Sequence, residues 1–568
     1  MGKEELVVDL IRTSTLWPPV RPRSIDLDAP TFKLLEAVGL VRQLDLAGSF
    51  ALMPLAAMIR DRMEAIIRKS FVERGFGAAV LPVLQSRAIW ENSGRWKLYA
   101  DSGAMFRVAG RSGEENACLG PTSEEISVSV VAADLKTYRD LPVRLYQSTQ
   151  KFRNELSPRG GLMRAREFEM ADAYTFDAMR EGMLAAVEDL NAACCSALTR
   201  MGFPEVLTIP ADGGDISKAP STEHAVRSDT GQSEFVECPQ CGYRADPEVA
   251  VAAFPRPDLR AAAGGDANVA KVVAFQETKD GTDLLVCVVI RGDLQVSARK
   301  VAEVLKASAL RMLAEAEFRD AFGVEPHMLN PVVALQASDE VLFDTSAAQL
   351  RNFTIAGPAG DLCHGANWGV GPLLGNVLPR GAVAVHTADA GLWCGACGEG
   401  LFESCRSVEL GHVFELGDHY SAPMGLRFTD RKGRSTAPLM ACSGIGIGRC
   451  LQTLAHLLRD EHGLCWPAQV APAQVHMIVA ASSEEAESRA RRLQEALIEN
   501  GITCLVDDRE VSLGERFRYA RALGLPYQVV VPSRAADPGF EWIKRATGAR
   551  GQVDAATLIS MLATDEKS

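Results

Sequence analysis

The sequence lacks the long apolar runs that membrane-spanning helices need. No segment approaches the roughly 18–20 apolar residues that cross a bilayer. The opening MGKEELVVDLIRTST begins with mixed charge and has no apolar stretch of the kind found in a signal peptide. Internal repeats and low-complexity tracts are absent too. We therefore expect a cytoplasmic protein with no membrane partner.

A surplus of positive charge is also missing. The chain has 60 Lys and Arg residues against 73 Asp and Glu residues, and its net charge is -13. Any nucleic acid must therefore be bound by local basic patches and not by the field of the whole protein. The 14 cysteines do not predict a disulfide framework, because the cytoplasm keeps thiols reduced. Most of them are expected to be small core side chains.

The remaining composition is that of an ordinary globular protein. Hydrophobic residues make up 47% and charged residues 23% of the 568 residues, and the mean hydropathy is +0.00. At roughly 100–200 residues per domain, this length predicts about three to five domains. Disordered, fibrous and very small scaffolds are excluded.

The N-terminal part, to about residue 212, alternates helical and strand patterns. Apolar spacing predicts a helix over residues 58–73 and a strand over 76–84. Residues 141–176 predict two strands joined by a polar loop at 157–161, and hence a long antiparallel hairpin.

The middle segment, about residues 249–388, has its own alternation and is interpreted as a self-contained insertion. NVAKVVAF and LLVCVVI predict strands, and residues 297–322 predict one long helix. After the insertion, PLMACSGIGIGRCLQTLAHLLRD predicts a strand that turns into a helix. A Pro-rich linker at 466–474 then leads into a compact β/α module.

The predicted hairpin carries a group of side chains suited to a nucleotide. Arg153 and Glu155 lie two residues apart on the first strand and share a face, and Arg166 and Phe168 on the returning strand can lie nearby. A guanidinium, a carboxylate and an aromatic ring suit a phosphate, an exocyclic amine and a base ring. The structural alternative is a solvated cross-strand ion pair.

Two further motifs are ambiguous when taken alone. In SGIGIGR, the glycines let the backbone approach a ligand, and Arg449 opens a helix whose free amides favour anions. A tight structural turn is the alternative, and the GxGxG spacing gives little support to a dinucleotide fold. In LGPTSEE, Thr122 and Glu124 offer a hydroxyl and a carboxylate to an ammonium group, or a cap to the helix that follows.

Taken together and in this order, the motifs resemble those of class II aminoacyl-tRNA synthetases, and closely those of the bacterial-type prolyl-tRNA synthetases. The resemblance covers essentially the whole chain and rests on LGPTSEE, KFRNELSPRGGLMRAREFEMADAYTFD, VELGHVFELGDHYS, GIGIGR, WPAQVAP and DDREVSLGERF with LGLPYQVVV. It implies an α+β fold. An antiparallel-sheet catalytic domain (1–235 and 399–468) would be interrupted by a YbaK-like α/β insertion (236–398) and followed by an α/β anticodon-binding domain (469–568). It also implies ATP-dependent activation of proline, transfer to tRNA(Pro), and a homodimer.

The resemblance assigns a role to each site residue. The two catalytic residues would be Arg153, which would bind the α-phosphate of ATP, and Arg449, which would bind the γ-phosphate. Glu155 would bind the adenine amine and Phe168 would stack on adenine. Mg²⁺ would bridge phosphate oxygens. The residues that match the amino-acid pocket are Thr122, Glu124, Asp172, Tyr174, His412 and Phe414. The residues that match positions facing the anticodon, with a solvated surface as the alternative, are Asp508, Arg509, Glu541 and Arg545.

Several positions depart from the family pattern. Ser123, Ala171 and Ser443 replace residues of the usual amino-acid and nucleotide motifs, and we expect them to alter the pocket. Ser157 replaces an arginine expected to contact the tRNA acceptor stem.

The insertion departs furthest. Lys271, Pro331 and Asp344 match positions of the family's editing pocket, but His327 stands where the pattern has glycine and Leu362 where it has histidine. A Cβ at the glycine position would block a close backbone approach or demand a different φ. We expect weak or absent hydrolysis of mischarged alanyl-tRNA, which matters because size alone separates alanine from proline only modestly.

Two Cys-x-x-Cys pairs flank the insertion, Cys238 with Cys241 and Cys394 with Cys397. Their spacing is that of a four-thiolate zinc ribbon. Structural zinc and reduced, metal-free thiols are both open on sequence grounds.

Three functions fit the sequence. A working prolyl-tRNA synthetase is favoured because Arg153, Glu155 and Arg449 are present together. The departures suggest a second function, a specialised paralogue that activates proline or an analogue for a biosynthetic or resistance role. The third is a non-catalytic regulator that binds tRNA or amino acid. ATP–pyrophosphate exchange distinguishes all three.

Overall fold

The computed structural model describes residues 11–18, 25–214, 216–217, 219–253, 266–279, 282–307, 310–357, 361–480, 483–532 and 539–565. The chain divides into two units. Unit 1 comprises Met1–Leu207, His224–Val226 and Glu409–Ser568, and unit 2 comprises Thr208–Glu223 and Arg227–Val408. Within the described ranges, no helix combines the length and the apolar character needed to cross a membrane.

The first 200 residues confirm the predicted helix and hairpin, whereas the predicted strand at 76–84 is a strand only at Gly77–Ala78 and at its last residue, Leu84. Helix α2 starts at Pro54, whose missing N–H costs nothing in a first turn. The predicted strand is interrupted in its middle because Pro82 has no N–H and the Leu81 N–H donates to the Gln147 side chain instead of a neighbouring strand. In chain order the elements are β1 (Ile11–Arg12), α1 (Thr31–Ala37), β2 (Val41–Gln43), β3 (Phe50–Leu52), α2 (Pro54–Val72), β4 (Gly77–Ala78), β5 (Leu84–Ser86), α3 (Arg87–Asn92), α4 (Arg95–Asp101), β6 (Phe106–Ala109), β7 (Glu115–Leu119), α5 (Glu124–Asp134), β8 (Val143–Phe152), β9 (Glu167–Asp177) and α6 (Arg180–Arg200).

The middle segment confirms the two predicted strands and overturns the single helix at 297–322. That stretch is two helices separated by a short strand, because Leu310–Met312 pairs with the edge of a sheet and this pairing overrides its helical propensity. The elements are β10 (Leu207–Ala211), β11 (Ser221–Arg227), β12 (Ser233–Glu237), β13 (Arg244–Ala245), β14 (Ala252–Ala253), β15 (Ala270–Lys279), β16 (Thr282–Arg291), α7 (Ala298–Leu305), β17 (Leu310–Met312), α8 (Glu315–Phe322), α9 (Pro331–Ala337), β18 (Glu340–Phe343), α10 (Thr345–Ala348), β19 (Phe353–Ala356), β20 (Leu362–Ala366), α11 (Gly371–Leu374) and β21 (Trp393–Cys394).

The last part of the chain follows the predicted order of strands and helices. Its elements are β22 (Glu403–Gly417), β23 (Phe428–Thr429), β24 (Ser435–Thr436), β25 (Leu439–Gly446), α12 (Ile447–Leu458), β26 (Val475–Val479), α13 (Glu484–Glu499), β27 (Cys504–Asp507), α14 (Leu513–Leu523), β28 (Tyr527–Val531), β29 (Phe540–Lys544), β30 (Arg550–Val553) and α15 (Ala555–Asp565).

An antiparallel sheet dominates the first part of unit 1. Strands β22, β25, β9 and β8 lie side by side in that order, and β4 joins β8 in parallel. The β8–β9 hairpin pairs continuously from Val143 with Phe176 to Phe152 with Glu167. Strand β25 runs directly into α12. The first turn of that helix therefore lies at the end of a central strand of the sheet.

The C-terminal module of unit 1 is a second, mainly parallel sheet. Its strand order is β1, β27, β26, β28, β29 and β30. Strands β1, β27, β26 and β28 run parallel, and β29 and β30 return antiparallel. Its core lies under α13 and α15, where Val475, Met477, Leu497, Val529 and Leu558 are buried.

Unit 2 is built on a four-stranded sheet in the order β17, β15, β16 and β18. Both faces are covered, and for this reason β16 is apolar almost throughout. Val286, Val288 and Ile290 face one core, and Cys287 and Val289 face the other. Unit 2 therefore combines helices with a mixed sheet, which is antiparallel between β17, β15 and β16 and parallel between β16 and β18.

Candidate active site

One face of the central sheet of unit 1 carries five of the predicted site residues. The strand register places Asp172 opposite Gly444 and Gly444 opposite His412. In the next row, Tyr174 is opposite Cys442 and Cys442 is opposite Phe414. Because side chains alternate along a strand, the residues that share this face are Phe168, Asp172, Tyr174, His412 and Phe414.

Asp172 is the centre of a buried polar network on this face. Its carboxylate accepts hydrogen bonds from Gln147 Nε2 and Tyr174 OH, both at 2.8 Å, and lies 2.9 Å from Lys151 Nζ. Burial raises the pKa of the Asp172 carboxyl, and Lys151, Gln147 and Tyr174 oppose that rise. The network fixes the positions of the Asp172 carboxylate and the Tyr174 phenol on this face of the sheet.

The Thr122–Glu124 segment lies against the same face. The Ser123 N–H donates to Tyr174 OH at 3.1 Å, and Cys442 Sγ lies 3.6 Å from Glu124 Oε1. Thr122 Oγ1 donates to Glu124 Oε2 at 2.5 Å. Helix α5 begins at Glu124 without a side-chain cap, so the capping alternative is wrong. The hydroxyl and the carboxylate form a preassembled pair.

Arg95 was missed by sequence reasoning, although two adjacent acids in LGPTSEE signal the need for a buried countercharge. Its NH1 lies 3.0 Å from Glu125 Oε1 and 3.6 Å from Glu124 Oε2. The guanidinium carbon lies 4.7–5.2 Å from the centres of three rings, those of Tyr99, Tyr420 and Trp90. Arg95 therefore holds the start of α5 by charge, and cation–π contacts with rings outside α5 hold the guanidinium in place.

Arg153 and Glu155 come just after β8 rather than within it. The Arg153 Cζ lies 5.3 Å from the ring centre of Phe168, and its Nε donates to the Pro121 carbonyl at 3.2 Å. Glu155 accepts from Arg164 Nε at 2.6 Å. Glu155 thus has an ion-pair partner, Arg164, but both residues lie in the loop between the two strands and the pair is not a cross-strand one. Arg153 stays next to the aromatic ring.

Arg449 lies in the first turn of α12, close to His412. Its NH1 donates to the Glu409 carbonyl at 2.8 Å and its Nε to the Met163 carbonyl at 3.2 Å. Glu409 also lies 3.0 Å from His412 Nδ1, and the His412 ring stacks on Phe414 at 4.0 Å. Burial raises the pKa of Glu409, but His412 and Arg449 outweigh it and lower that pKa to about 2.

Four departures from the family pattern lie in unit 1, at Ser123, Ser157, Ala171 and Ser443. Ala171 and Ser443 are on the opposite face of the sheet from Asp172, and Ser443 lies beside Cys194 of α6. Ser123 does contact the site, because its Oγ accepts from Gln147 Nε2 at 3.0 Å. Ala171 and Ser443 therefore leave the binding face itself unchanged. Ser157 is exposed in the β8–β9 loop.

In unit 2 the predicted editing residues are held by the fold. Lys271 on β15 donates to the Gly292 carbonyl at 2.9 Å. Asp344 follows β18 and accepts from the N–H groups of Ser346 and Val385, both at 2.8 Å, and lies 2.9 Å from His386 Nδ1. Strand β16 lies between Lys271 and Asp344, which puts their backbones about two strand spacings, or roughly 10 Å, apart.

The remaining editing positions lie around the start of α9. His327 is exposed in a short 3₁₀ turn, Pro326–Met328. Pro331 is the first residue of α9, and Asn330 caps it by accepting from the N–H groups of Val332 and Val333. His327 is not among the non-glycine residues with positive φ, so the chain accommodates it without left-handed backbone.

The predicted anticodon residues lie at two separate places on the C-terminal sheet. Asp508 and Arg509 follow β27, and Asp508 accepts from the Ser14 N–H at 2.8 Å. Arg509 pairs with Asp507 at 2.6 Å and lies over the Tyr519 ring. Glu541, on β29, is exposed.

Arg545 is buried and makes two hydrogen bonds to Asp460, at 2.6 and 2.5 Å. It is therefore not part of a solvated surface, unlike Glu541.

The four predicted zinc ligands converge in unit 2, with their sulfur atoms all within 4.8 Å of one another.

Comparisons with known proteins agree with this arrangement. Residues 106–456 match the tRNA synthetase class II core domain (G, H, P, S and T), and residues 472–565 match an anticodon binding domain. The chain is 34% identical over 537 residues to a proline–tRNA ligase of Dehalococcoides mccartyi, covering 91% of this chain and 92% of the relative. It is 32% identical to that of Aquifex aeolicus, covering 93% and 94%.

A solved structure shows a similar fold. The prolyl-tRNA synthetase of Cryptosporidium parvum complexed with L-proline and AMP aligns with a TM-score of 0.57 at 14% identity, covering 96% of this chain and 78% of that one. The two domain matches and the full-length relatives together show that this chain belongs to the proline–tRNA ligases, a family of class II aminoacyl-tRNA synthetases.

Proposed function

We propose that this chain activates proline with ATP and transfers the prolyl group to the 3′ end of tRNA(Pro). One observation carries the proposal: a preassembled hydroxyl–carboxylate pair, Thr122 and Glu124, contacts the same sheet face that bears Phe168 beneath Arg153. An ammonium site and a nucleotide site thus meet on one surface. The related proteins are named proline–tRNA ligases.

Amino-acid recognition follows from the buried polar groups. Proline carries a secondary ammonium with two N–H donors, and Thr122 and Glu124 supply two acceptors for it at the edge of the face. The apolar ring would lie over Phe414 and His412, which are already stacked on each other. Asp172 and Tyr174 would form the polar wall of the pocket.

The first chemical step is an in-line displacement at phosphorus. An oxygen of the proline carboxylate attacks the α-phosphorus, a new O–P bond forms, and the bond to the β-phosphate oxygen breaks to release pyrophosphate. Negative charge accumulates on the phosphate oxygens, and the guanidinium groups of Arg153 and Arg449 neutralise it. Glu155 would accept from the adenine amine after exchanging its Arg164 partner.

In the second step, the 3′-terminal hydroxyl of tRNA attacks the carbonyl carbon of prolyl-adenylate. An ester bond forms, the bond between the carbonyl carbon and the phosphate oxygen breaks, and AMP leaves with that electron pair while its phosphate takes the hydroxyl proton. Arg153, which is assigned to the α-phosphate, would hold the phosphate of the adenylate during this transfer.

Magnesium fits the nucleotide side of the site. Mg²⁺ binds one or two carboxylates together with substrate phosphates, and Glu409 supplies an ionised carboxylate next to Arg449. Glu409 would hold the ion, which would supply positive charge to the phosphate oxygens.

The tRNA partner, the cellular location and the oligomeric state complete the proposed function. The C-terminal module would bind the anticodon stem-loop through Asp508, Arg509 and Glu541, and through Arg545 once that guanidinium exchanges its Asp460 partner. The enzyme would act in the cytoplasm as a homodimer. We take 1–235 and 399–468 as the catalytic domain, 236–398 as the insertion and 469–568 as the anticodon domain. Editing by the insertion would be weak or absent, because Lys271 and Asp344 are engaged by backbone groups.

The test is ATP–pyrophosphate exchange with proline, alanine, cysteine and a proline analogue, followed by charging of purified tRNA(Pro). Proline-dependent exchange with charging is the expected result. Exchange without charging, or with another preferred amino acid, would favour a specialised paralogue. Binding without any exchange would overturn the catalytic proposal. Light scattering of the eluted protein measures the oligomeric state in the same preparation.

A further inference from the structure

The two Cys-x-x-Cys segments of unit 2 adopt the same turn, although they are far apart in the sequence. Each continues into glycine, as CPQCG at 238–242 and CGACG at 394–398. Gly242 and Gly398 have φ values of 73° and 71°, in the left-handed region that glycine favours. Each glycine N–H donates to the carbonyl of the first cysteine, Cys238 or Cys394, at 2.8 Å. The result is a pair of matching hairpin-like knuckles.

The knuckles aim their four sulfur atoms at a common centre. Cys238 Sγ lies 3.7 Å from Cys397 Sγ, and Cys241 Sγ lies 3.8 Å from Cys394 Sγ. A tetrahedral ion with metal–sulfur bonds of about 2.3 Å would place its ligands about 3.8 Å apart. A disulfide requires about 2.05 Å. The spacing therefore suits one ion among four thiolates and is too wide for disulfide bonds.

The surroundings of the sulfurs are shaped to hold them there. Cys238 and Cys394 are fully buried, whereas Cys241 is exposed. A Cβ at Gly400 would come within 2.4 Å of Cys238 Sγ, so only glycine leaves room at that position. Backbone N–H groups of Glu399 and Gly400 hydrogen-bond to Cys397 Sγ. Such donors balance part of the negative charge of thiolate ligands.

The geometry points to a structural zinc site formed by Cys238, Cys241, Cys394 and Cys397. Zinc suits this set because it prefers tetrahedral thiolate coordination. All four positions are filled by protein, which is typical of a structural and not a catalytic ion. The ion would add no step to the aminoacylation chemistry.

The position of the site indicates what the ion would stabilise. The first knuckle follows β12 and the second precedes β22. The second knuckle begins at Cys394, the last residue of β21, which pairs with Ala252 of β14. The cysteines thus stand where the chain enters and leaves the insertion. An ion there would close a loop of more than 150 residues, and closure of a long loop lowers the entropy of the unfolded chain.

The experiment measures metal in the full-length chain purified without chelator. We expect about one zinc per chain by mass spectrometry of the metal content. Titration of the wild type with an organomercurial, in the presence of a zinc-sensitive dye, should release that zinc as four thiols react. This readout needs no variant and no enzymatic activity.

Two variants complete the test. The double variant Cys238→Ser with Cys394→Ser should lose the zinc and become sensitive to protease within the insertion. The control Cys363→Ser, in the same unit but outside the cluster, should keep its zinc and stay resistant to protease. Absence of zinc from the wild type after refolding with zinc would overturn the proposal. So would iron in its place, or full zinc content in the double variant.

Discussion

Glu124 of unit 1 and Asp344 of unit 2 are both buried carboxylates that the sequence assigns to a binding pocket, and they are bonded to different partners. The neighbours of Glu124 are side chains: Thr122 Oγ1, Cys442 Sγ and, at 3.6 Å, Arg95. Asp344 accepts two backbone N–H groups, those of Ser346 and Val385, besides pairing with His386. Backbone donors cannot turn away to release a carboxylate. Asp344 is therefore part of the fold, whereas Glu124 can exchange a side-chain partner for a ligand.

The largest expected effect concerns the nucleotide end of the synthetic site. Arg449→Ala should lower proline-dependent pyrophosphate exchange by about 100-fold or more, since the loss of one preorganised donor at a developing charge typically costs that much. The unfolding temperature should change little, because the guanidinium is one-third exposed. Arg434→Ala, on an exposed hairpin, is the control for loss of an arginine. Unchanged exchange in Arg449→Ala would sink the phosphate assignment.

Glu124 and Glu125 are adjacent in the sequence, and we expect the first to bind the substrate and the second to stabilise the fold. Glu124→Gln should raise the KM for proline about 10- to 100-fold and leave the KM for ATP unchanged, since a charged hydrogen bond is worth about 1.5–3 kcal/mol. Glu125→Gln should mainly lower the unfolding temperature, because Glu125 is bonded to Arg95 and Ser93 and is fully buried. Steady-state kinetics with each substrate and a thermal melt separate the two. Equal KM effects in both variants would show that the start of α5 acts only as a scaffold.

Sequence reasoning succeeded where chemistry and periodicity agree along a single strand. The β8–β9 hairpin, the strand-to-helix transition at Arg449 and the alternation of Asp172 with Tyr174 could all be predicted, because period-two patterning fixes which side chains share a face. The same parity shows why Ala171 and Ser443 lie on the opposite face from Asp172, although the motif comparison suggested an altered pocket. A motif comparison alone does not say which way a strand residue faces.

The residues that were missed depend on contacts between distant segments. Arg95 in α4 meets Glu125 in α5, 30 residues later in the sequence, and Glu409 meets Arg449 only when β22 and β25 are paired. The contact between Glu409 and Arg449 has no local signature, and the two adjacent acids in LGPTSEE indicate a countercharge without showing which residue supplies it. For the same reason the strand Leu310–Met312 was predicted as helix: its partner on β15 lies more than thirty residues away in the sequence.

We expect Asp344 to contribute to the stability of unit 2 and not to hydrolysis. Asp344→Asn replaces one acceptor oxygen by an amide nitrogen, so one of two buried N–H groups loses its partner at a cost of about 1–3 kcal/mol. Hydrogen exchange should speed up around α10, with pyrophosphate exchange unchanged and alanyl-tRNA hydrolysis as low as in the wild type. Burial raises the pKa of Asp344, but its His386 and Ser346 bonds outweigh it and the net pKa is lowered. The contribution to stability is therefore complete above about pH 4 and is lost as the pH falls below it.

The opposite result would place Asp344 in a catalytic role. It would require strong alanyl-tRNA hydrolysis by the wild type that disappears in Asp344→Asn without faster hydrogen exchange. A matched variant, Asp339→Asn, removes a carboxylate that accepts a single backbone N–H, that of Leu285, at the other end of β18. It should have a smaller effect on local stability.

The smallest effect is expected from restoring glycine at the loop before α9. His327→Gly removes the Cβ that stands at the predicted point of substrate approach, and it should raise alanyl-tRNA hydrolysis by less than about threefold. The reason is that the rest of the pocket stays engaged: Lys271 is bonded to the Gly292 carbonyl and Asn330 caps α9. His327→Ala is the control, because it removes the imidazole and keeps the Cβ. A large gain with glycine and none with alanine would mean that one Cβ was the only barrier, and that the pocket of unit 2 is as ready for a ligand as the site of unit 1.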